Sequence, residues 1–345
     1  MGTTQVTNPL MTDATGQLIY AALQAIGTTN IGNIAALLTT DKSSLVAAVN
    51  ELKNRCDTED GRLAYIEAFL FHNIPRIVPK DITEYVTDGT LWLRLTGTGG
   101  YSLYEDIYVG DYIHMSRAIS AYEQTGQYQT TGSDYVTIAG ISWFKHNGSS
   151  EITYEHLVMV PGRGFEGTQH FGRSRMNSTN TTANGYLGSE MHATTLGSIA
   201  SSGSTAATAS INQQLYAEFG AHLKTTKELC SNQINTSAVN RLAAASGASS
   251  NFTWEDCQAV LMSEIEVYGS IVFSSSGFDT GNACAQLPLF VHSKVAQNNR
   301  SGHYWLKDIA SAAYFCYCSH SGDAPCSSAS HANLYVRPRF ILAAA

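Results

Sequence analysis

The chain has 345 residues and a formal charge of −8, with 43% hydrophobic and only 14% charged residues. That length and apolar content suffice for a sizeable core and for two or more domains, while the acidic balance argues against a nucleic-acid partner, which needs a basic face. No run of about 18 apolar residues occurs, so no membrane insertion is expected, and Met1-Gly2-Thr3-Thr4-Gln5 lacks the charged and apolar regions of a signal peptide.

Residues 1–40 are small and polar, with Gly16, Gly27 and Gly32 as breakers. They read as an extended or partly helical leader suited to docking on something larger. A helix is expected over 41–72, capped by Asp41 or Ser43. Leu45, Val49, Leu52, Cys56, Glu59, Leu63, Ile66 and Leu70 then recur at alternating steps of four and three, the a/d seam of a coiled coil. The oligomerisation candidates are therefore Leu45, Val49, Leu52, Cys56, Leu63, Ile66 and Leu70, and a parallel homotrimer is the favoured state. A lone amphipathic helix on a globular core would show the same residues; the narrow seam favours the coil. Gly61 costs about 1 kcal/mol against Ala in a helix interior, which marks a break or weak zone.

Pro75 and Pro79 end the helix. A β-rich neck is expected over 80–160. Leu91, Leu93 and Leu95 alternate with Trp92, Arg94 and Thr96, the period of a strand. Stretches 107–113, 135–141 and 157–160 read as further strands, and Asn147-Gly148 as a hairpin turn. Beyond 161 the texture is mixed. Ile211, Leu215, Phe219 and Leu223 space like a helix face, 198–210 reads as an exposed loop, and 260–262, Ile265, Val267 and 271–273 read as strands.

The last stretch changes character between His303-Tyr304-Trp305-Leu306 and Val336-Arg337-Pro338-Arg339-Phe340. Between these bookends Tyr314, Phe315, Tyr317, His320, His331, Asn333 and Tyr335 alternate with Ser, Ala, Gly and Cys. Flat amphipathic rings among small polar spacers give contact area at low entropic cost, as in a paratope. These seven are the candidate ligand-binding residues, whereas Trp305, Arg337 and Phe340 are expected to be structural.

Several segments resemble the lectin-like domains at the tips of phage fibres, including the tropism-determinant type of variable protein. They are 175–180, 185–191, Leu261-Met262-Ser263-Glu264-Ile265-Glu266-Val267-Tyr268-Gly269, Tyr304-Trp305-Leu306 and Val336-Arg337-Pro338-Arg339-Phe340. Upstream, 38–52 resembles a segment recurrent in phage fibre and appendage proteins. The resemblance implies an α+β chain with four parts: a virion-attachment leader (1–40), a trimeric coiled-coil stalk (41–72), a β-rich neck (80–160) and a C-type-lectin-like head (161–345). It implies attachment to a host-surface glycan or protein, contact with other virion structural proteins through the N-terminus, and a place on the phage particle after assembly in the host cytoplasm. A capsid or collar decoration without a receptor is the alternative. The calcium-holding tripeptides of sugar-binding relatives are missing, and 303–340 offers only Asp308 and Asp323 as acids, too few for Ca²⁺. No cofactor or metal is expected.

Catalytic readings are weaker. No H-E-x-x-H or G-x-S-x-G occurs. Glu264 and Glu266, two apart, would form a carboxylate pair if they lay on a strand. Cys316 and Cys318 invite comparison with the copper-binding formylglycine-generating enzymes, which share the lectin-like fold, but their spacing differs and the flanking rings suit contact better. The seven cysteines show no zinc framework, and the sequence is read as a non-enzyme.

Overall fold

The computed structural model describes residues 45–122, 131–145, 152–164, 166, 168–232, 252–272, 285–291 and 302–345. The leader, the expected caps Asp41 and Ser43, the Asn147-Gly148 turn and the side chains of Leu45, Val49 and Leu52 lie outside the described residues. The fold is mixed α and β, with antiparallel sheets and few helices among the described residues. The chain divides into two units, Met1–Ala68 and Phe69–Ala345.

The first described element is helix α1 (Leu45–His72). It passes through Gly61 without the expected break. The cost of one glycine is spread over 28 residues, and ion pairs Lys53–Asp57 (2.6 Å) and Arg62–Glu59 (3.2 Å) flank it at helical spacing. In the second unit Asn73 ends the helix. Its Nδ2 donates to the carbonyls of Phe69 (2.8 Å) and Ile141 (3.0 Å), and its Oδ1 accepts from Ile141 N (2.9 Å). Pro75 then blocks any further turn.

The elements that follow are α2 (Thr83–Thr87), α3 (Thr90–Thr96), β1 (Tyr112–His114), β2 (Tyr135–Ile141) and β3 (His156–Pro161). A π-helical turn (Met191–Leu196), α4 (Ile211–Phe219), β4 (Leu223–Lys224), β5 (Thr226–Ser231), β6 (Phe252–Cys257) and β7 (Val260–Leu261) come next. The chain closes with α5 (Glu264–Tyr268), α6 (Pro288–Val291), β8 (Tyr304–Ser311), β9 (Tyr314–Cys318), β10 (Cys326–Ser328) and β11 (Pro338–Ala343).

One antiparallel sheet runs β1-β2-β3-β11-β4, with β7 also on β11. The expected boundary at 160/161 therefore does not separate a neck from a head. Strands β1 to β3 come from one side of it, and β4, β7 and β11 from the other. The physical reason is coverage: β3 and β11 are buried at every position, and each half of the chain shields the other's apolar strands. Strands β8, β9 and β10 form a second sheet, and β5 pairs with β6.

Three local expectations are corrected. Residues 90–96 are helical, not extended: Gly89 and Gly97 bound them at positive φ, Asp88 Oδ1 accepts from Thr90 N (2.8 Å), and Leu91, Arg94 and Leu95 are the buried residues, at i, i+3 and i+4. Of 107–113 only the end is strand; Ile107 and Val109 are buried in a loop held by the Asp111 carboxylate, which accepts from Lys80 N (2.8 Å) and Tyr108 N (2.9 Å). Ile265 and Val267 lie on helix α5, because Ser263 and Glu266 close a reciprocal capping box. The α4 helix, β2 and β3 form where the periodicity places them, although Leu223 falls on β4.

Candidate ligand-binding face

Beneath the second sheet lies a centre of fully buried charge. Arg339 of β11 meets Glu228 of β5 through two parallel bonds (Nη1 to Oε1 2.9 Å, Nη2 to Oε2 2.6 Å), and its Nε donates to Glu266 of α5. Burial opposes the ionisation of Glu228, yet the Arg339 guanidinium holds its carboxyl below the usual range. Lys307 Nζ of β8 stands 3.9 Å from Glu228 and donates to Leu229 O (3.3 Å). Nearby, Asp308 Oδ2 accepts from Glu264 N (2.7 Å); burial, then the Glu264 charge, pushes Asp308 up to about 7. Glu264 and Glu266 thus lie on a helix and face different partners, so the condition for a strand pair of carboxylates is not met.

This centre ties β5, α5, β8 and β11 together and fixes the frame on which β9 is laid. Trp305 Nε1 donates to Ser174 O (2.8 Å), and Arg337 is packed over the rings of Phe290 and Tyr304. Trp305, Arg337 and Phe340 are all buried, in keeping with a structural role.

Over this frame the seven candidate residues divide. Phe315 is a correction: at 0% exposure and paired with Ile309, it belongs to the core and can touch no ligand. The register slips in β8 on either side of Ile309, so simple alternation along β9 fails to place it. Tyr314 is 42% exposed at the start of β9, opposite Ser328. Tyr317 is half-buried, edge-on to Trp305 at 6.4 Å. His320, His331 and Asn333 are exposed. His331 Nδ1 lies 2.7 Å from Ser327 Oγ. Tyr335 is half-buried and largely committed: its ring stacks on His170 at 3.6 Å, and its hydroxyl accepts from Arg173 Nη2 (2.7 Å). Burial, with Arg337 and Arg173 nearby, lowers His170 to about 4, so the stacked imidazole is neutral.

The structure brings Tyr317, His320 and Tyr335 together around His303, a residue outside the seven candidates. Tyr335 N donates to His303 O (2.7 Å), and the His303 ring lies 6.0 Å from Tyr317 and 4.6 Å from His320. His170 and Arg173 were also missed, because they join this neighbourhood only through tertiary contacts with Tyr335, more than 160 residues on. Tyr314 sits at the opposite end of β9 from this group.

Among the oligomerisation candidates, Cys56 is half-buried, while Leu63 and Ile66 are 57% and 48% exposed in the first unit. In the second unit Leu70 is 58% exposed, and Phe71, Ile74, Ile77 and Val78 are exposed as well.

Cys316 and Cys318 are buried free thiols. Burial pushes the Cys316 thiol well above its ordinary range. One further thiol approaches an imidazole: Cys257 Sγ lies 3.8 Å from His192 Nε2 at the wall of a cavity of about 310 Å³. Cys230 and burial hold the Cys257 thiol above its usual range, and burial lowers His192, so the pair is neutral and offers no thiolate. Among the described residues no group of three or more His, Cys, Asp and Glu side chains is arranged to hold a metal ion, and no helix is long and apolar enough to cross a membrane. Compared with known proteins, the chain matches no family model, no curated protein and no solved structure.

Proposed function

We propose that the chain is a phage virion fibre protein that attaches the particle to its host. In this reading the helix seam assembles a homotrimer, the leader docks on other virion structural proteins, and 161–345 belongs to a C-type-lectin-like head that offers its final sheet to a surface glycan or protein. The observation that carries the reading is the division within β8 to β10. Tyr314, His320, His331 and Asn333 stand outward, Tyr317 half-outward, on a frame pinned by Arg339, Glu228 and Trp305. Exposed rings on a rigid support are what a contact surface requires. The exposure of Leu63, Ile66 and Leu70 supports assembly, since such a row costs free energy while it faces water. Three linked faces raise avidity by about 10²–10⁴ where geometry lets them engage together. Two segments of the resemblance, at 261–269 and 336–340, supply Glu266 and Arg339 to the buried lock.

The test is adsorption. Particles carrying Tyr314→Ala with Tyr317→Ala are expected to lose host adsorption while the purified protein keeps its thermal midpoint. Adsorption equal to wild type removes the proposed face and leaves the decoration reading. Native mass of the intact chain checks the trimer: a monomer at micromolar concentration, unchanged by Leu63→Asp with Ile66→Asp, removes the seam.

A further inference from the structure

The hairpin β8–β9 ends with Tyr304 paired to Cys318. The residues just past that last pair, His303 before β8 and His320 after β9, are therefore delivered side by side by the register. His303 is held by the bond from Tyr335 N to its carbonyl. His320 sits in a tight turn closed by Ser319 N to Asp323 O and Gly322 N to Ser319 O, both 2.9 Å. The result is a contact between two imidazole nitrogens, His320 Nδ1 and His303 Nε2, at 2.9 Å, with ring centroids 4.6 Å apart at an interplanar angle of 61°.

Two readings of that contact are open: a shared proton, or two lone pairs facing one point. A straight N–H···N bond would place the centroids about 5.2 Å apart, since each centroid lies roughly 1.15 Å behind its nitrogen and the bond direction runs through the ring. The observed 4.6 Å is shorter, so the rings are tilted off the line between the nitrogens. Two imidazoles bound at about 2.05 Å to one ion, at an angle of about 90°, put their nitrogens about 2.9 Å apart and their centroids about 4.5 Å apart. Both spacings in the structure agree with that chelate. Tetrahedral coordination at the same bond length needs nitrogens about 3.3 Å apart, which fits less well.

We propose that His303 and His320 form a two-nitrogen chelate for a divalent transition-metal ion that prefers tetragonal or octahedral geometry, with Ni²⁺ and Cu²⁺ the best matched. His320 is exposed, so the remaining coordination positions open outward and remain available to water or to a donor from another molecule. The charges around the pair are mixed: Asp323 favours a cation there, and Arg173 opposes one. The Asp323 carboxylate is fixed in the same turn as His320 by a bond from Ser319 Oγ (2.6 Å). His331 is occupied with Ser327 and is not part of the chelate. The inference does not rest on the attachment reading, because metal binding and host adsorption are separate measurements.

Calorimetric titration of the full, tag-free chain with NiCl₂ at pH 7.5 tests it. One Ni²⁺ per chain is expected, with paramagnetic broadening of two histidine ring signals and no binding of Mg²⁺. His303→Ala and His320→Ala should each weaken Ni²⁺ binding about tenfold or more, while His331→Ala leaves it unchanged. Thermal midpoints read alongside separate a lost site from a lost fold; His320→Ala, at an exposed position, is expected to keep the wild-type midpoint. Wild-type affinity in His320→Ala, or no Ni²⁺ bound by the wild-type chain, overturns the proposal.

Discussion

Two layers that the fold stacks in one region of the molecule obey opposite rules. In the inner layer Arg339, Glu228, Glu266, Lys307 and Asp308 are buried and each has a hydrogen-bond partner. In the outer layer Tyr314, His320 and His331 are exposed, and the two histidines contact neighbours on the same surface. The contrast teaches that rigidity and contact surface are supplied by different residues of one region of the fold. Buried ions cannot be altered singly without leaving an uncompensated charge, whereas the rim is tolerant of replacement.

The sharpest way to break this comparison is at its centre. Arg339→Met strands two buried carboxylates and is expected to cost about 3–5 kcal/mol in urea unfolding. A loss below about 1 kcal/mol would show that the lock contributes little. Next, neighbouring residues can be set against each other. Phe315→Ala is expected to cost about 3–5 kcal/mol, because it empties a packed site. Tyr314→Ala, one residue away, should stay within about 0.5 kcal/mol of wild type. Equal effects would erase the distinction between the layers.

A pH series sharpens the comparison further, with a smaller effect. Asp308 has its folded pKa raised from 3.8 to about 7. Between those values the folded state binds the extra proton, so its contribution to stability is full below pH 3.8 and is lost as pH rises through about 7. His156 and His170 act in the opposite sense. Burial lowers both from 6.5 to about 4, so their contribution is present above pH 6.5 and is lost as pH falls through about 4. Asp308→Asn should therefore steepen the rise of the thermal midpoint between about pH 4 and 6.5, where Asp308 opposes the two histidines. A rise no steeper than that of wild type would remove Asp308 as an opposing group.

Parts of this architecture were legible in the chain. The apolar run at 157–160 read as a buried strand and is one. The face of Ile211, Leu215 and Phe219 read as a helix and is one. Leu91, Leu93 and Leu95 misled, because seven residues can satisfy both periods, and the bounding Gly89 and Gly97 decide for the helix. At Glu264 and Glu266 the Ser-x-x-Glu capping signature was present in Ser263 to Glu266, yet period-two spacing was read instead. Within the candidate site, the aromatic rim at 314–335 was visible as composition. That Phe315 turns inward was not visible, because the slip beside Ile309 leaves no sign in residue types.

The sequence by itself determined which residues are apolar, where α1 must stop before Pro75, and that a ring-rich stretch lies between two bookends. It could do so because propensity and periodicity are local properties. Tertiary structure alone decided that Glu228 and Glu266 would converge on Arg339, that β3 and β11 would share a sheet, and that His303 would stand beside His320. Those pairings join residues from 17 positions apart, His303 to His320, to 187 positions apart, His156 to its β11 partner Ala343, and no short-range pattern encodes which distant partner closes a contact.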